Sequence, residues 1–98
     1  MAYKLIWSPP ARDDLHDIIV FIARDNPNRA MSFGYELISQ IDRLQDFPDI
    51  GRVVPEYQNN NLREIPFRPY RVVYRVNHKR KLCEIARVWH SARGIPDL

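Results

Sequence analysis

The sequence lacks the features that mark several large classes of protein. Its single cysteine, Cys83, excludes an internal disulfide framework and a zinc site built from cysteines. Gly34, Gly51 and Gly94 are isolated, so there is no glycine-rich phosphate loop. No apolar run approaches the roughly 18 residues of a membrane span, and the start up to Trp7 is too short for a signal peptide. We therefore expect a soluble, cytoplasmic protein that does not bind a membrane.

The remaining composition is that of one small folded domain. Hydrophobic residues make up 45% of the chain and charged residues 28%, which argues against intrinsic disorder. Ninety-eight residues leave room for only one compact core. We expect a single domain over residues 1–98.

Charge is divided unevenly between the two halves of the chain. Residues 1–50 carry five basic and eight acidic residues, a balance of −3, whereas residues 51–98 carry ten basic and four acidic residues, a balance of +6. Twelve of the fifteen basic residues are arginines, whose planar fork suits phosphate and carboxylate groups. The second half is therefore predicted to bind an anionic partner, the alternative being a solvated basic surface. The candidate binding arginines are Arg52, Arg71, Arg75, Arg87 and Arg93.

The pattern of apolar residues and turn formers predicts the element order β-α-α-β-β-β. A strand over residues 3–7 precedes a helix capped by Ser8, and a second helix capped by Asn26 follows after a short connection. A long connection over residues 48–61 leads to three strands at residues 62–67, 70–76 and 81–90. We expect an α+β fold in which the helical hairpin packs on one face of a small, mostly antiparallel sheet.

The middle strand of the last three has two different faces. Tyr70, Val72, Tyr74 and Val76 alternate with Arg71, Val73 and Arg75. The apolar set is expected to meet the helices. The other face is expected to be open and lined by arginine.

Few side chains could support catalysis. The sequence has no nucleophile motif, and its histidines lack the spacing of metal ligands, so we expect no metal and no cofactor. Glu56, Arg71 and His90 are the residue types that metal-free RNA cleavage requires: a base, a cation for the phosphate and an acid. The alternative is structural, with Glu56 paired to an arginine, Arg71 on the solvated sheet and His90 at a strand end.

Several segments resemble the RelE/ParE toxins of bacterial type II toxin–antitoxin systems. The resemblance covers residues 5–93, in order. It is carried by residues 8–23 and 25–30, by residues 62–65, and by the segments Phe47-Pro48-x-x-Gly51-Arg52-x-x-Pro55-Glu56, Pro69-Tyr70-Arg71-Val72-Val73-Tyr74-Arg75 and Val88-Trp89-His90-x-Ala92-Arg93. The resemblance implies the fold derived above, a role in plasmid stabilisation and a cognate antitoxin. Because the basic half presents Arg71 and Arg75, we expect that antitoxin to supply an acidic, amphipathic C-terminal segment.

The family has two branches with different targets. RelE-like members, including the YoeB type, cut mRNA on the ribosome, and ParE-like members poison DNA gyrase without a nuclease activity of their own. Glu56, Arg71 and His90 resemble the YoeB-type site, but Ser91 stands where that type has a tyrosine. The loop 53–61 also lacks the lysines of other RelE-like enzymes. The opening helix and residues 67–71 are closer to the ParE branch, so gyrase inhibition is the favoured expectation and RNA cleavage the alternative.

Overall fold

The computed structural model describes residues 2–98 and packs two helices on one face of a five-stranded sheet. The elements in chain order are β1 (Lys4–Trp7), α1 (Pro9–Asp25), α2 (Pro27–Asp42), β2 (Arg52–Val53), β3 (Leu62–Phe67), β4 (Tyr70–Asn77) and β5 (Leu82–His90). The strand order is β1-β5-β4-β3-β2, and β1–β5 is the parallel pair while the other pairs are antiparallel. The α+β fold is confirmed, and the two-residue strand β2 is an addition to the predicted order.

Both helices begin where the sequence predicts. The Ser8 side chain accepts a hydrogen bond from the backbone N–H of Ala11 at 3.2 Å, and Asn26 accepts one from Arg29 at 3.0 Å. Each cap is followed by a proline, whose missing N–H costs nothing in the first turn. Caps of this kind stabilise a helix by about 1 kcal/mol each. No helix within residues 2–98 has both the length and the apolar character to cross a membrane.

The main core lies between the helical hairpin and the sheet, as predicted. Val72, Tyr74 and Val76 of β4 face the helices, and Tyr70 packs at the edge of the same cluster. The buried members from the rest of the chain are Ala11, Ile18, Phe33, Leu37, Ile41, Leu44, Cys83, Ile85 and Val88. Burial raises the pKa of the Cys83 thiol to about 11, so this cysteine is an unreactive core residue.

Strand β5 contains a bulge that changes which residues face the helices. Val73 pairs with Arg87 while Tyr74 pairs with Ile85, so Ala86 is an extra residue on β5. Simple alternation from Ile85 would turn Arg87 toward the helices. Instead Ile85 and Val88 both join the main core, and Ala86 belongs to the cluster on the opposite face.

The beginning of α1 covers the part of β5 that β1 does not reach. Strand β1 pairs with β5 only as far as Ile85. Beyond that point the Ser8 hydroxyl donates to the Ala86 carbonyl at 2.9 Å, and an Asp14 carboxylate oxygen accepts from the Val88 N–H at 2.9 Å. Asp14 on α1 thus satisfies a part of the strand edge that β1 leaves unpaired.

The outer face of the sheet, opposite the helices, is covered rather than open. A second cluster of Val54, Leu62, Val73 and Ala86 packs there with Tyr57. The Tyr57 hydroxyl donates to the Pro96 carbonyl at 2.7 Å, which joins the long loop to the C-terminal segment across this face. The predicted open, arginine-lined face is therefore wrong for Arg71, which is buried, and right for Arg75, which is exposed.

A buried tyrosine fixes the start of the long loop. The Tyr74 hydroxyl accepts from the Gly51 N–H at 2.9 Å and donates to the Pro48 carbonyl at 2.8 Å. A Cβ atom at Gly51 would lie 2.6 Å from the Glu64 carbonyl oxygen and 2.7 Å from the Tyr74 hydroxyl, so only glycine fits without a shift. The loop thus enters the outer face at a fixed position.

We predict that Tyr74→Phe destabilises the fold by about 1–3 kcal/mol, because it leaves the buried Gly51 N–H and the partly buried Pro48 carbonyl without a partner. Chemical denaturation of the purified protein measures this loss. Tyr3→Phe is the matched control, since the Tyr3 hydroxyl makes only an exposed hydrogen bond, to His78. An unchanged unfolding midpoint for Tyr74→Phe would contradict the role given to its hydroxyl.

Candidate functional site

A buried carboxylate and a buried guanidinium form the centre of the candidate site. Glu64 on β3 is fully buried and Arg71 on β4 is 8% exposed. Arg71 Nη1 donates to Glu64 Oε1 at 2.9 Å, and Arg52 Nε on β2 donates to Glu64 Oε2 at 2.7 Å. Three neighbouring strands are thereby joined through one carboxylate.

Arg71 also holds the long loop and the C-terminal segment. Its Nη1 and Nη2 atoms donate to the two carboxylate oxygens of Glu56 at 3.0 and 2.8 Å, and Nη2 donates to the Gly94 carbonyl at 2.8 Å. Its Nε atom is buried and has no hydrogen-bond partner among residues 2–98. Arg71 could contact a phosphate only by releasing one of these partners.

The electrostatics of the pair follow from this geometry. Hydrogen bonds from Arg71 hold the pKa of Glu56 below its ordinary value, against the opposing effect of partial burial. The same hydrogen bonds, together with the charge of Glu64, raise the pKa of Arg71. Both groups are therefore charged at neutral pH.

His90 lies on the other face of the sheet. It pairs with Tyr70 across β4 and β5, and the two rings meet edge to face with centroids 5.2 Å apart. Tyr70 packs against the main core, whereas the next residue, Arg71, points to the outer face. His90 Nδ1 accepts from the Ala92 N–H at 3.1 Å and so caps the turn that follows β5.

The structure thus joins two of the three residues proposed for RNA cleavage and separates the third. Glu56 and Arg71 form a bidentate ion pair on the outer face. His90 lines a small cleft on the helix side, together with Asp14, Asp17 and Arg93. For Glu56 and His90 the arrangement is the structural alternative recognised in the sequence: a carboxylate paired to an arginine, and a histidine at a strand end.

The other candidate arginines differ in exposure. Arg87 is largely buried in a bidentate pair with Asp14, at 2.8 Å for each bond, and these bonds raise the pKa of Arg87. Arg52 remains 62% exposed beside Glu64, and Arg75 is 48% exposed at 3.2 Å from Glu84. Arg93 is exposed and its guanidinium lies 4.0 Å from the ring centre of Trp89. Arg52, Arg75 and Arg93 are therefore the arginines that a partner can reach.

Sequence reasoning did not single out Glu64, Asp14 or Trp89. Glu64 is the fully buried acid of the site, Asp14 binds Arg87, and the Trp89 ring contacts the guanidinium groups of both Arg87 and Arg93. The sequence did contain a signal for the burial of Glu64. Glu64 lies two residues after Leu62 on β3, so both side chains are on the face of the sheet that also carries Val73 and Arg71. Within residues 2–98 no group of histidine, cysteine and acidic residues could hold a metal ion.

Comparisons with known proteins give one family and several similar structures, two of which are described here. The family model described as "ParE toxin of type II toxin-antitoxin system, parDE" matches residues 5–95. The chromosomal ParDE toxin–antitoxin system of P. aeruginosa contains a chain with a TM-score of 0.72 and 22% identity, over 91% of this chain and 96% of that one. The RelBE2 toxin–antitoxin complex of Mycobacterium tuberculosis contains one with a TM-score of 0.62 and 19% identity, over 92% and 99%. No curated protein sequence matches the chain.

We predict that Arg71→Met destabilises the fold by about 3–5 kcal/mol, because it leaves the buried carboxylate of Glu64 short of a cation. Denaturant unfolding of the folded protein measures the loss. Arg75→Met is the matched control on the same strand, and removal of its exposed pair is expected to cost about 1 kcal/mol or less. Equal losses for the two variants would contradict a structural role for Arg71.

The Glu56–Arg71 pair predicts a specific acid sensitivity. Since the pKa of Glu56 is lowered in the folded state, its ionisation stabilises the fold above the ordinary pKa of about 4.5 and this contribution disappears as the pH falls through the folded value. Glu56→Gln should therefore flatten the loss of stability between about pH 5 and pH 3. Thermal unfolding across this range measures the slope. Asp42→Asn, at an exposed position, should leave it unchanged.

Proposed function

The chain belongs to the ParE toxin family of type II toxin–antitoxin systems, and from this premise we propose that it binds DNA gyrase, inhibits DNA supercoiling, and is neutralised by a cognate antitoxin. The proposal assigns it no catalysis of its own. On this proposal the toxicity depends on a surface that binds gyrase, and it requires no acid–base centre.

The observation that carries the proposal is the separation of His90 from Arg71 and Glu56. A nuclease that uses these residues needs base, cation and acid around one phosphate, within hydrogen-bond reach of the reacting atoms. Here the sheet lies between the histidine and the ion pair. The terminal nitrogens of Arg71 already donate hydrogen bonds to Glu56, Glu64 and the Gly94 carbonyl. This arrangement supports a binding protein over an RNA-cleaving enzyme.

The antitoxin contact is proposed on the outer face of the sheet. Two adjoining clefts there, of about 510 and 270 Å³, share the exposed Arg75 and the half-buried Glu84. Arg75 and Lys79 give this groove a positive rim, while Ile6 and Leu82 supply apolar surface. A disordered, acidic, amphipathic segment could fold along such a surface, and opposite charge would speed its association. The similar structures are named as toxin–antitoxin systems, which agrees with a partner of this kind.

We predict that the purified protein inhibits supercoiling by gyrase and that His90→Ala retains most of this inhibition and most of its toxicity in a bacterial host. Gyrase binding requires no proton transfer, whereas loss of a general acid would reduce cleavage about 10²–10⁴-fold. Supercoiling assays, together with parallel measurement of replication and translation arrest after induction, distinguish the two. Co-expression of the antitoxin should restore growth.

Variants of Arg71 are unsuitable for this test, because unfolding would abolish either activity. The matched control is Asn28→Ala, at an exposed position on the helical hairpin far from His90 in the chain. Loss of toxicity in a folded His90→Ala protein, combined with cleavage of ribosome-bound mRNA by the wild type, would replace gyrase inhibition with the nuclease alternative.

A further inference from the structure

A cleft of about 360 Å³ lies where the tip of the helical hairpin meets the turn between β3 and β4. The end of α1, the start of α2 and the beginning of β4 all contribute to its lining. It opens on the helix side of the sheet, because Phe33 and Tyr70 pack with the main core. It is therefore separate from the groove on the outer face. This hairpin-tip cleft is defined by Phe21, Asp25, Arg29, Phe33, Arg68 and Tyr70.

The interior of the hairpin-tip cleft is apolar and aromatic. Phe33 is 2% exposed, and its ring meets the Tyr70 ring edge to face with centroids 5.7 Å apart. Phe21 lines the same cleft and is 60% exposed. Concave surfaces lined by aromatic side chains with a few polar groups are the usual binding sites for apolar ligands and side chains. The cleft is therefore suited to one large apolar group.

Two arginines that line the cleft are available to an incoming anion. Arg29 of α2 and Arg68 of the turn are exposed, and neither forms an ion pair with residues 2–98. Asp25 is the acidic residue of the lining, and it too is exposed and forms no ion pair within that range. Two positive charges against one negative charge favour an anionic group beside the apolar one.

We propose that the hairpin-tip cleft binds a large apolar side chain of the antitoxin, together with a neighbouring antitoxin carboxylate held by Arg29 and Arg68. The apolar side chain packs on Phe33 and Tyr70, and the carboxylate stays at the rim, where the guanidinium groups donate to it. This inference rests on the antitoxin part of the proposed function and is independent of gyrase as the target.

An acidic, amphipathic antitoxin segment supplies both groups that the cleft requires. Its apolar residues match the aromatic interior, and its carboxylates match the excess of positive charge. A second copy of this chain is a poorer occupant. A two-fold contact places the same surface on both subunits, so it would bring together two clefts that each carry an excess of positive charge.

The position of the cleft sets a minimum length for the antitoxin segment. The cleft lies at the Tyr70 end of β4, whereas the larger cleft of the outer face is lined by Val76 and Asn77 at the other end. Strand β4 has eight residues and spans about 23 Å. A continuous segment that occupies both sites therefore needs about seven or more extended residues between its two contacts. A disordered segment that folds on binding can cover a surface of this length.

N-acetylphenylalanine is the probe for the cleft, and its neutral amide is the matched control because it lacks only the carboxylate. In titrations of the full-length protein followed by amide NMR shifts, the charged probe should shift the resonances of Phe33 and Tyr70. It should also bind about fivefold more tightly than the amide, the upper range for exposed ion pairs.

Charge variants test the role of the arginines in the same titration. Arg29→Gln combined with Arg68→Gln should remove the difference between the two probes. Arg12→Gln, at an exposed position outside the cleft, should preserve it. Asp25→Asn should tighten binding of the charged probe, since it removes a like charge. The dispersion of each spectrum verifies that the variant is folded.

Competition tests whether the antitoxin is the occupant. The complex with the cognate antitoxin should no longer bind N-acetylphenylalanine, because an antitoxin side chain fills the cleft. Saturation-transfer NMR, which observes the probe and does not depend on the size of the complex, measures this loss.

Four outcomes would overturn the proposal. They are equal affinity for the charged and neutral probes, shifts confined to the outer face, a complex with the antitoxin that binds the probe as tightly as the free protein does, and loss of probe binding with gyrase but not with the antitoxin. The last outcome would assign the cleft to the target. Inhibition of supercoiling is measured separately, so a failure of gyrase as the target leaves the probe and antitoxin measurements intact.

Discussion

The buried pair of Glu64 and Arg71 is the interaction on which the outer half of the structure depends. A carboxylate with no exposure is costly to bury unless cations and hydrogen bonds satisfy it, and here Arg71 and Arg52 donate to its two oxygens. Once Arg71 is fixed by Glu64, it fixes the loop through Glu56 and the C-terminal segment through Gly94. Segments with no regular secondary structure are thereby held against the sheet by one guanidinium.

This network gives a structural role to Glu56 and Arg71, two of the residues that resemble a catalytic site. In a nuclease, Glu56 and Arg71 would act on substrate, and each would need a vacant hydrogen-bonding position. In this chain they satisfy each other, and the resulting bonds shift both pKa values toward the charged forms. Matching residue types at matching positions therefore does not establish matching roles, because an ion pair that stabilises the fold uses the same groups.

Local patterns predicted the fold well, and contacts between distant residues account for the differences. The caps at Ser8 and Asn26 and the strand over residues 62–67 depend on neighbouring residues and were predicted correctly. The bulge at Ala86 and the strand β2 depend on pairing between strands, which no local window contains. Alternation correctly placed Arg71 on the face away from the helices. It could not show that the loop and the C-terminal segment cover that face, since those contacts join residues far apart in sequence.

The acidic and basic halves of the chain form two distinct surfaces in the folded molecule. The acidic half forms the helical hairpin, whose exposed side carries both signs of charge. The basic half forms most of the sheet, whose outer face keeps Arg52 and Arg75 accessible. The helices and the outer face lie on opposite sides of the sheet. An anionic partner bound to these arginines would therefore leave the exposed side of the helical hairpin uncovered.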